Sequence, residues 1–214
     1  MKRTLPVIAK NLFYLAVLAF AVVFLFRGTA LFSFFMPENT NPDFQATAVR
    51  GWKEFKSHAL GVSVMYPPLY AVDSSYVYTP LNPEKGAKGV KFTVPAAQAE
   101  GTNLSPQDTG VSIEIFPDAK SCVAQEFVVE GLESKTLTDL GTHYSAARST
   151  ATTVGNFYEE TVYAIQGSSP CTVVRYFIHS RRAGSYDAGS KKEFDRDVLV
   201  KEFDLIRRSL ILTR

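Results

Sequence analysis

Sixteen consecutive residues, Asn11 to Phe26, carry no charged side chain (Asn-Leu-Phe-Tyr-Leu-Ala-Val-Leu-Ala-Phe-Ala-Val-Val-Phe-Leu-Phe). No other feature of the chain constrains its architecture as sharply. As a helix rising 1.5 Å per residue the run reaches about 24 Å, a little short of a hydrocarbon core near 30 Å. Snorkelling of Lys10, which brings in Leu5 to Ala9, supplies the missing length; so does continuation past Arg27 into Leu31, Phe32, Phe34 and Phe35. A buried core helix would keep a polar face, whereas this segment is apolar all round. The sequence therefore predicts a single-pass transmembrane signal-anchor helix over residues 11–33. Gly28-Thr29-Ala30 offers the small residues a signal peptidase reads, so a cleaved signal peptide is the alternative. Cleavage there would leave Leu31-Phe-Ser-Phe-Phe-Met36 as a greasy N-terminus, which favours retention. No Cys follows the run before Cys122, which excludes a lipid-modified N-terminal Cys.

The flanks set the orientation. Lys2, Arg3 and Lys10 precede the span; Arg27, Glu38 and Asp43 follow its apolar core. The positive-inside bias predicts a cytoplasmic N-terminus over residues 1–10 and places everything after the span outside the cell membrane, in a periplasmic or extracellular space. Four of the 23 basic residues and none of the 21 acidic ones lie in the first 36 residues, so the remainder is net −2. That balance disfavours a nucleic-acid partner, which demands a surplus of Lys and Arg against phosphate. Residues 34–50 are polar and non-periodic beyond Met36, with Pro37 and Pro42, and read as a linker. Residues 51–214 then form one extracytoplasmic domain of ordinary globular composition, 46% hydrophobic and 21% charged over the whole chain, which excludes disorder, collagen and coiled coil.

Within that domain short alternating runs read as strands. Val62, Val64 and Tyr66 share one face of Gly61–Tyr66 before Pro67-Pro68 ends it. Val90, Phe92 and Val94 oppose Lys91 and Thr93; Val111, Ile113 and Ile115 oppose Ser112 and Glu114. Such patterns predict half-buried antiparallel strands with one covered face. A four-strand meander follows over Ser134–Asp139, Thr142–Thr152, Asn156–Gln166 and Cys171–Ser180, with Gly141, Gly155-Asn156 and Gly167-Ser168-Ser169-Pro170 as turns. Both faces of the last strand are partly apolar, which requires a covering layer. The C-terminal segment supplies one. Ser190-Lys-Lys-Glu193 fits a capping box, and Phe194, Val198, Leu199, Phe203, Ile206 and Leu210 recur at helical spacing. A shorter helix is expected around Ser121–Val128. The fold class is α+β: an antiparallel sheet packed against a C-terminal helix.

Cys122 and Cys171 are the chain's two cysteines. In an oxidising compartment an even count reads as a disulfide, here closing a loop of about 50 residues. A redox-active pair would need a Cys-x-x-Cys, which is absent.

Catalytic constellations are scarce. His58, His143 and His179 lie far apart with no metal-ligand spacing, so neither a metal nor a cofactor is expected. Glu159-Glu160 alternate across a strand and cannot share a substrate. Asp195 and Asp197 do not face each other on a helix and lack an EF-hand glycine. No nucleophile elbow or phosphate-cradling loop is present. Arg181-Arg182 and Lys191-Lys192 flank one loop and read as solvated cations, with an anion-binding patch as the alternative. Asn103-Leu104-Ser105 matches an N-glycosylation acceptor. Tyr66, Tyr70, Tyr76 and Tyr78 follow one another through a loop-rich stretch, and tyrosines on loops offer contact area at low entropic cost; they are the candidate binding surface.

Trp52-x-x-Phe55 followed by Gly61-Val-Ser-Val-Met-Tyr66-Pro67-Pro68, the later Gly155-Asn-x-Tyr158-Glu-Glu, and the closing segment from Glu193-Phe194-Asp195 to Leu210 resemble uncharacterised membrane-anchored extracytoplasmic proteins of bacteria. Some of these have a PsbP-like α/β sandwich. The resemblance covers most of residues 50–212 and implies an antiparallel sheet flanked by helices. These motifs are strand ends and turns, so no family site residue carries over. The function expected is a membrane-tethered, non-catalytic module that binds a protein or small ligand or assists assembly. A hydrolase-like enzyme assembled from His143 or His179 and nearby acids, and a purely structural anchor subunit, are the alternatives.

Overall fold

Runs of β-branched and aromatic residues interrupted by glycine and proline build most of the domain, because such side chains fit a pleated surface and the interruptions supply turns. The computed structural model describes residues 49–129, 134–182 and 190–213. The predicted membrane span, the cytoplasmic N-terminus and nearly all of the linker lie outside the described residues. Among those described, no helix is long and apolar enough to cross a membrane. The strands, in chain order, are β1 (Lys53–Ser57), β2 (Val62–Tyr66), β3 (Ala71–Asp73), β4 (Val77–Tyr78), β5 (Ala87–Thr93), β6 (Gly110–Phe116), β7 (Lys135–Asp139), β8 (Thr142–Thr153), β9 (Asn156–Ile165), β10 (Cys171–Arg181) and β11 (Ile211–Leu212). A four-residue helix α1 (Ala96–Ala99), a 3₁₀ turn at Ala124–Phe127 and the helix α2 (Arg196–Arg208) complete the described elements.

The large sheet runs β3-β5-β6-β10-β9-β8-β7, with β4 also on β5, and its pairings are antiparallel. A small sheet, β1-β2-β11, joins residues near both ends of the domain. The β7–β10 meander matches the sequence expectation to within a residue at most boundaries. Its turns bend where predicted: Gly141, Gly155 and Gly167 all take positive φ (79°, 78° and 78°), a region that costs glycine nothing. Gly110 serves a different need, since a Cβ there would stand 2.1 Å from the Phe92 carbonyl oxygen of the neighbouring strand.

One face of the large sheet carries the main core. Val90, Phe92, Val111, Ile113, Val174, Tyr176 and Tyr163 pack against Val62 and Val64 of β2 and Leu199, Phe203 and Ile206 of α2. The opposite face carries a smaller core, in which Ala124, Phe127 and Val128 of the 3₁₀ region cover Val162, Ala164 and Val173. The Cys122–Cys171 disulfide fastens that cover to the start of β10, with Cα atoms 5.4 Å apart.

The structure corrects four expectations. α2 starts at Arg196 rather than after Ser190, and its cap is Asp195, whose carboxylate accepts from the Val198 N–H at 3.0 Å. The Ser190–Glu193 stretch fails as a capping box because its backbone is engaged elsewhere: Lys192 donates to the Gly101 carbonyl and accepts from the Asn103 N–H, and the Phe194 N–H goes to the Asn103 side chain. Val198 falls off the apolar stripe and is 57% exposed, because the buried positions 199, 203 and 206 centre the stripe about 100° away from it. Between Ser121 and Val128 only the 3₁₀ turn forms. Ser112 and Glu114, expected to face water, are buried, because the sheet's second face is covered too.

Reducing the disulfide is expected to lower unfolding stability by up to about 4 kcal/mol, the chain-entropy value for a loop of this length. A fall in the urea midpoint on adding dithiothreitol, absent in a Cys122→Ser/Cys171→Ser chain, is the readout.

Candidate functional site

Side chains alternate across a strand, so consecutive residues of the 66–78 stretch are sent to different layers. Tyr66 packs on Phe92 in the main core (ring centroids 5.0 Å apart). Tyr70 is buried beside α1 and α2, donating its hydroxyl to Glu202 at 2.8 Å. Tyr78 is buried on the opposite face under Arg175, whose guanidinium carbon lies 3.7 Å from its ring centre. Tyr76 is half-buried on that same side, with Lys91 over its ring. The four candidate tyrosines therefore do not share a surface. The Tyr70 and Tyr78 hydroxyls reach Glu202 and Glu160, while their rings fill the interior. Exposed in and just beyond the stretch are the aliphatic Leu69 (76% exposed), Val72, Val77 and Leu81, with the polar Asp73, Ser74 and Ser75 between them. Val72 and Val77 lie on β3 and β4, which pair with β5 at the edge of the large sheet.

Buried polar chemistry concentrates around two arginines. Arg175 lies on the sheet's second face and is bidentate to Glu114, with Nε at 2.8 Å from Oε1 and Nη2 at 2.8 Å from Oε2. Its Nη1 donates to the Phe127 carbonyl at 2.9 Å and to Glu160. Ser112 donates to Glu114 at 2.7 Å. Burial disfavours the guanidinium charge, yet Glu114 and Glu160 more than offset that and hold the group above its ordinary range. Tyr76 is pushed up to about 12 by its partial burial and by the Glu114 charge beside it. Arg207 forms the second cluster, between α2 and the helix-side face. Its Nε donates to the Tyr176 hydroxyl at 3.0 Å, Nη2 reaches Asp204 and Asp139, and its guanidinium lies over Tyr144 and Tyr163 at 4.7 and 4.6 Å. Arg208 adds a 2.8 Å contact to Asp139. At the other end of α2, Arg196 and Arg148 share Glu159. Glu159 and Glu160 thus serve opposite faces, as their alternation requires.

The histidines stay apart. His58 is exposed in the β1–β2 turn. His143 is exposed and contacts Thr138 through Nδ1 at 2.9 Å. His179 stacks on Tyr158 (4.4 Å), with Nδ1 against Asp108 and Nε2 against Asn156, both at 2.9 Å. Both its ring nitrogens are partnered, so neither faces a substrate proton. Among the described residues no group of His, Cys, Asp and Glu side chains could hold a metal ion. Asn103 is buried, its amide donating to the Arg181 carbonyl at 2.8 Å and accepting from Phe194. The glycosylation-like triplet is therefore a structural staple here.

Sequence reasoning missed the Arg175 and Arg207 clusters. One signal was available: Arg175 interrupts Val173-Val174 and Tyr176-Phe177, and Glu114 sits between Ile113 and Ile115. Opposite charges in the middle of apolar strands are a cue to pair them.

No family model matches the sequence, and no curated protein matches it. Solved structures that resemble the domain include the Saccharomyces cerevisiae Ran-binding protein Mog1p, at 12% identity and TM-score 0.46, over 76% of this chain and 96% of that one. A point mutant of Mog1 matches at 13% identity and TM-score 0.44 over the same shares. A Bacteroides thetaiotaomicron protein matches at 11% identity and TM-score 0.44, over 76% of this chain; the match spans about half (48%) of that protein's length.

Replacing Arg175 by Met strands two carboxylates in the interior and is expected to cost about 3–5 kcal/mol in urea unfolding. Adding Glu114→Gln and Glu160→Gln should recover part of that loss. Asp139 gives a pH signature. Burial raises its carboxyl, but the Arg208 hydrogen bond and the Arg207 charge hold it below its ordinary 3.8. A depressed native value adds stability above the unfolded value that is lost as pH falls through the native one. Asp139→Asn should therefore be less stable at pH 7 and lose less between pH 5 and about pH 2, measured by urea midpoints across that range.

Proposed function

We propose that this chain is a membrane-tethered, extracytoplasmic, non-catalytic binding or assembly module, held in the cell membrane by the 11–33 segment and carrying a PsbP-like sandwich domain. The observation that carries the reading is the β3–β4 edge: Val72 and Val77 face outward from edge strands, Leu69 and Leu81 are exposed in the turns beside them, and Tyr70 and Tyr78 face in. Edge strands with exposed aliphatic side chains are protected in most proteins, and exposed apolar patches mark interaction sites. A protein or small ligand meeting this edge gains apolar area and free backbone groups together.

The Cys122–Cys171 bridge supports the compartment, since structural disulfides persist in oxidising spaces. Full occupation of the His179 ring by Asp108 and Asn156 supports binding over His-based hydrolysis. The charged groups of the Arg175 cluster satisfy one another, and Arg207 pairs with Asp139 and Asp204 although its buried Nη1 has no hydrogen-bond partner among the described residues; this pairing supports a structural role for both clusters.

The test is site-specific photo-crosslinking in native membranes, with a benzophenone side chain at position 72, 77 or 118 of the full-length chain. One discrete adduct from positions 72 and 77, missing from 118 and lost when Leu69 and Leu81 become Glu, is the expected result. Equal adducts at all three positions, or none at 72 and 77 together with no ligand-induced thermal stabilisation, would overturn the reading.

A further inference from the structure

β3 and β4 both pair with β5, yet they do not make one regular strand. Asp73 lies opposite Lys91 and Val77 opposite Lys88, so residues 74–76 face only Val90 and Gly89. This is a β-bulge. Its extra residue is closed locally, since the Asp73 carboxylate accepts from the Ser75 N–H at 2.9 Å and from the Ser75 hydroxyl at 2.7 Å. Residues an odd number apart lie on opposite faces of a regular strand, and the bulge changes that parity. Val72 pairs with Phe92 and Val77 with Lys88, an even number apart on β5, so both valines share the helix-side face.

Their main-chain groups also point the same way. The Gly89 N–H donates to the Tyr76 carbonyl at 2.9 Å, whereas the Val94 N–H turns the other way, to the Thr109 carbonyl at 3.1 Å. Odd-numbered residues of β5 therefore bond the edge, through Ala71, Asp73, Tyr76 and Tyr78. Val72 and Val77 are left with N–H and C=O directed outward, and no strand among the described residues meets them there.

We propose that the partner at this edge is a second copy of the chain, paired antiparallel about a two-fold axis between Ser74 and Ser75. This names the partner for the tethered binding reading above and rests on it. The edge is self-complementary about that axis, as an isologous interface requires. Val72 bonds Val77 of the second copy, and Val77 bonds its Val72. Such an axis stands perpendicular to the joined sheet and keeps each face on its own side, so residues paired across it must share a face. In a regular strand Val72 and Val77 would not; the bulge makes them do so. Asp73, the one charged residue between Leu69 and Leu81, falls opposite Tyr76, and the centre holds only Ser74 and Ser75. The exposed Leu69 and Leu81 lie just beyond the two ends and approach each other across the axis. The tethers agree with this arrangement. Residues 1–48 join each copy at Val49, next to β1, and the small sheet to which β1 belongs packs on the helix-side face. Both chains therefore leave from one side, as a shared membrane demands. A stable soluble interface takes about 20–30 residues a side. The stretch from Leu69 to Leu81 is shorter, so confinement to one membrane supplies the concentration this contact needs.

The test is disulfide trapping of full-length chains in phosphatidylcholine vesicles with copper–phenanthroline; both native cysteines are bridged. Val72→Cys and Val77→Cys chains carry different tags. The expected result is a linked dimer when the two chains are mixed and little from either alone, because like positions stand about 13 Å apart along the paired strands. Fluorescence transfer between chains dyed at Asp118→Cys reads the equilibrium without the trap. Val72→Glu should weaken association about ten-fold over its two symmetric pairs, and Val72→Glu with Val77→Lys in one chain should restore it, since each new acid then faces a new base. Equal trapping in the mixture and in each chain alone reports collision and overturns the pairing, as does a double variant that stays as weak as Val72→Glu. Chains that fail to float with the vesicles overturn the tether and, with it, the confinement the proposal needs. No trapping and no transfer, while a benzophenone at position 77 still gives one adduct in native membranes, overturns the second copy and leaves the binding edge standing. Loss of that adduct as well overturns both.

Discussion

A guanidinium taken out of water must bring its counter-charges with it, and this domain does so twice on opposite faces of one sheet. The two clusters meet at consecutive residues of β10. Arg175 points to the second face, where Glu114 of β6 and Glu160 of β9 close on it. Tyr176 points to the first, where it links Asp204 and Arg207 of α2. β10 is thus flanked on both sides by partners that hold charge, and the positions of β6, β9 and α2 depend on its register. A one-residue slip would exchange the faces and leave Arg175, Glu114 and Glu160 without partners.

This explains why the helix sits where it does. Apolar area alone would hold α2 on the sheet through Leu199, Phe203 and Ile206, but would leave its position along the strands loosely defined. Contacts from Arg196 to Glu159 at one end, and from Arg207 and Arg208 to Asp139 at the other, fix that position. Buried ion pairs add little net stability over apolar substitutes; their contribution here is geometric.

Much of the frame was legible in the sequence because its signals are local. Gly141, Gly155 and Gly167 mark turns whose dihedrals only glycine takes freely, so the strands between them follow directly. The α+β class was legible for the same reason, and the Cys122–Cys171 bridge because the chain has only two cysteines to pair. What was not legible depends on partners distant in the chain. Asn103 decides where α2 may begin by taking the Phe194 N–H from 91 residues away. The burial of Ser112 and Glu114 is decided by Arg175, 61 residues beyond Glu114. The tyrosines of the 66–78 stretch looked like a surface because their spacing was read without the two layers that claim them. The aliphatic residues between them, which do face outward, carried no signal of their own.

The order in which the elements pair has a temporal consequence. β2 is completed by β11, whose Leu212 lies opposite Val62, and β6 is completed by β10. Each has one neighbour made just before it (β1 for β2, β5 for β6) and waits for the second, β6 until β10 and β2 until β11, which follows α2 in the chain. A chain emerging from a ribosome or translocation pore therefore presents β2 and β6 with one edge open while the intervening elements are made. Those two open edges, closed only by strands far along the chain, are where mispairing threatens until β10 and β11 arrive.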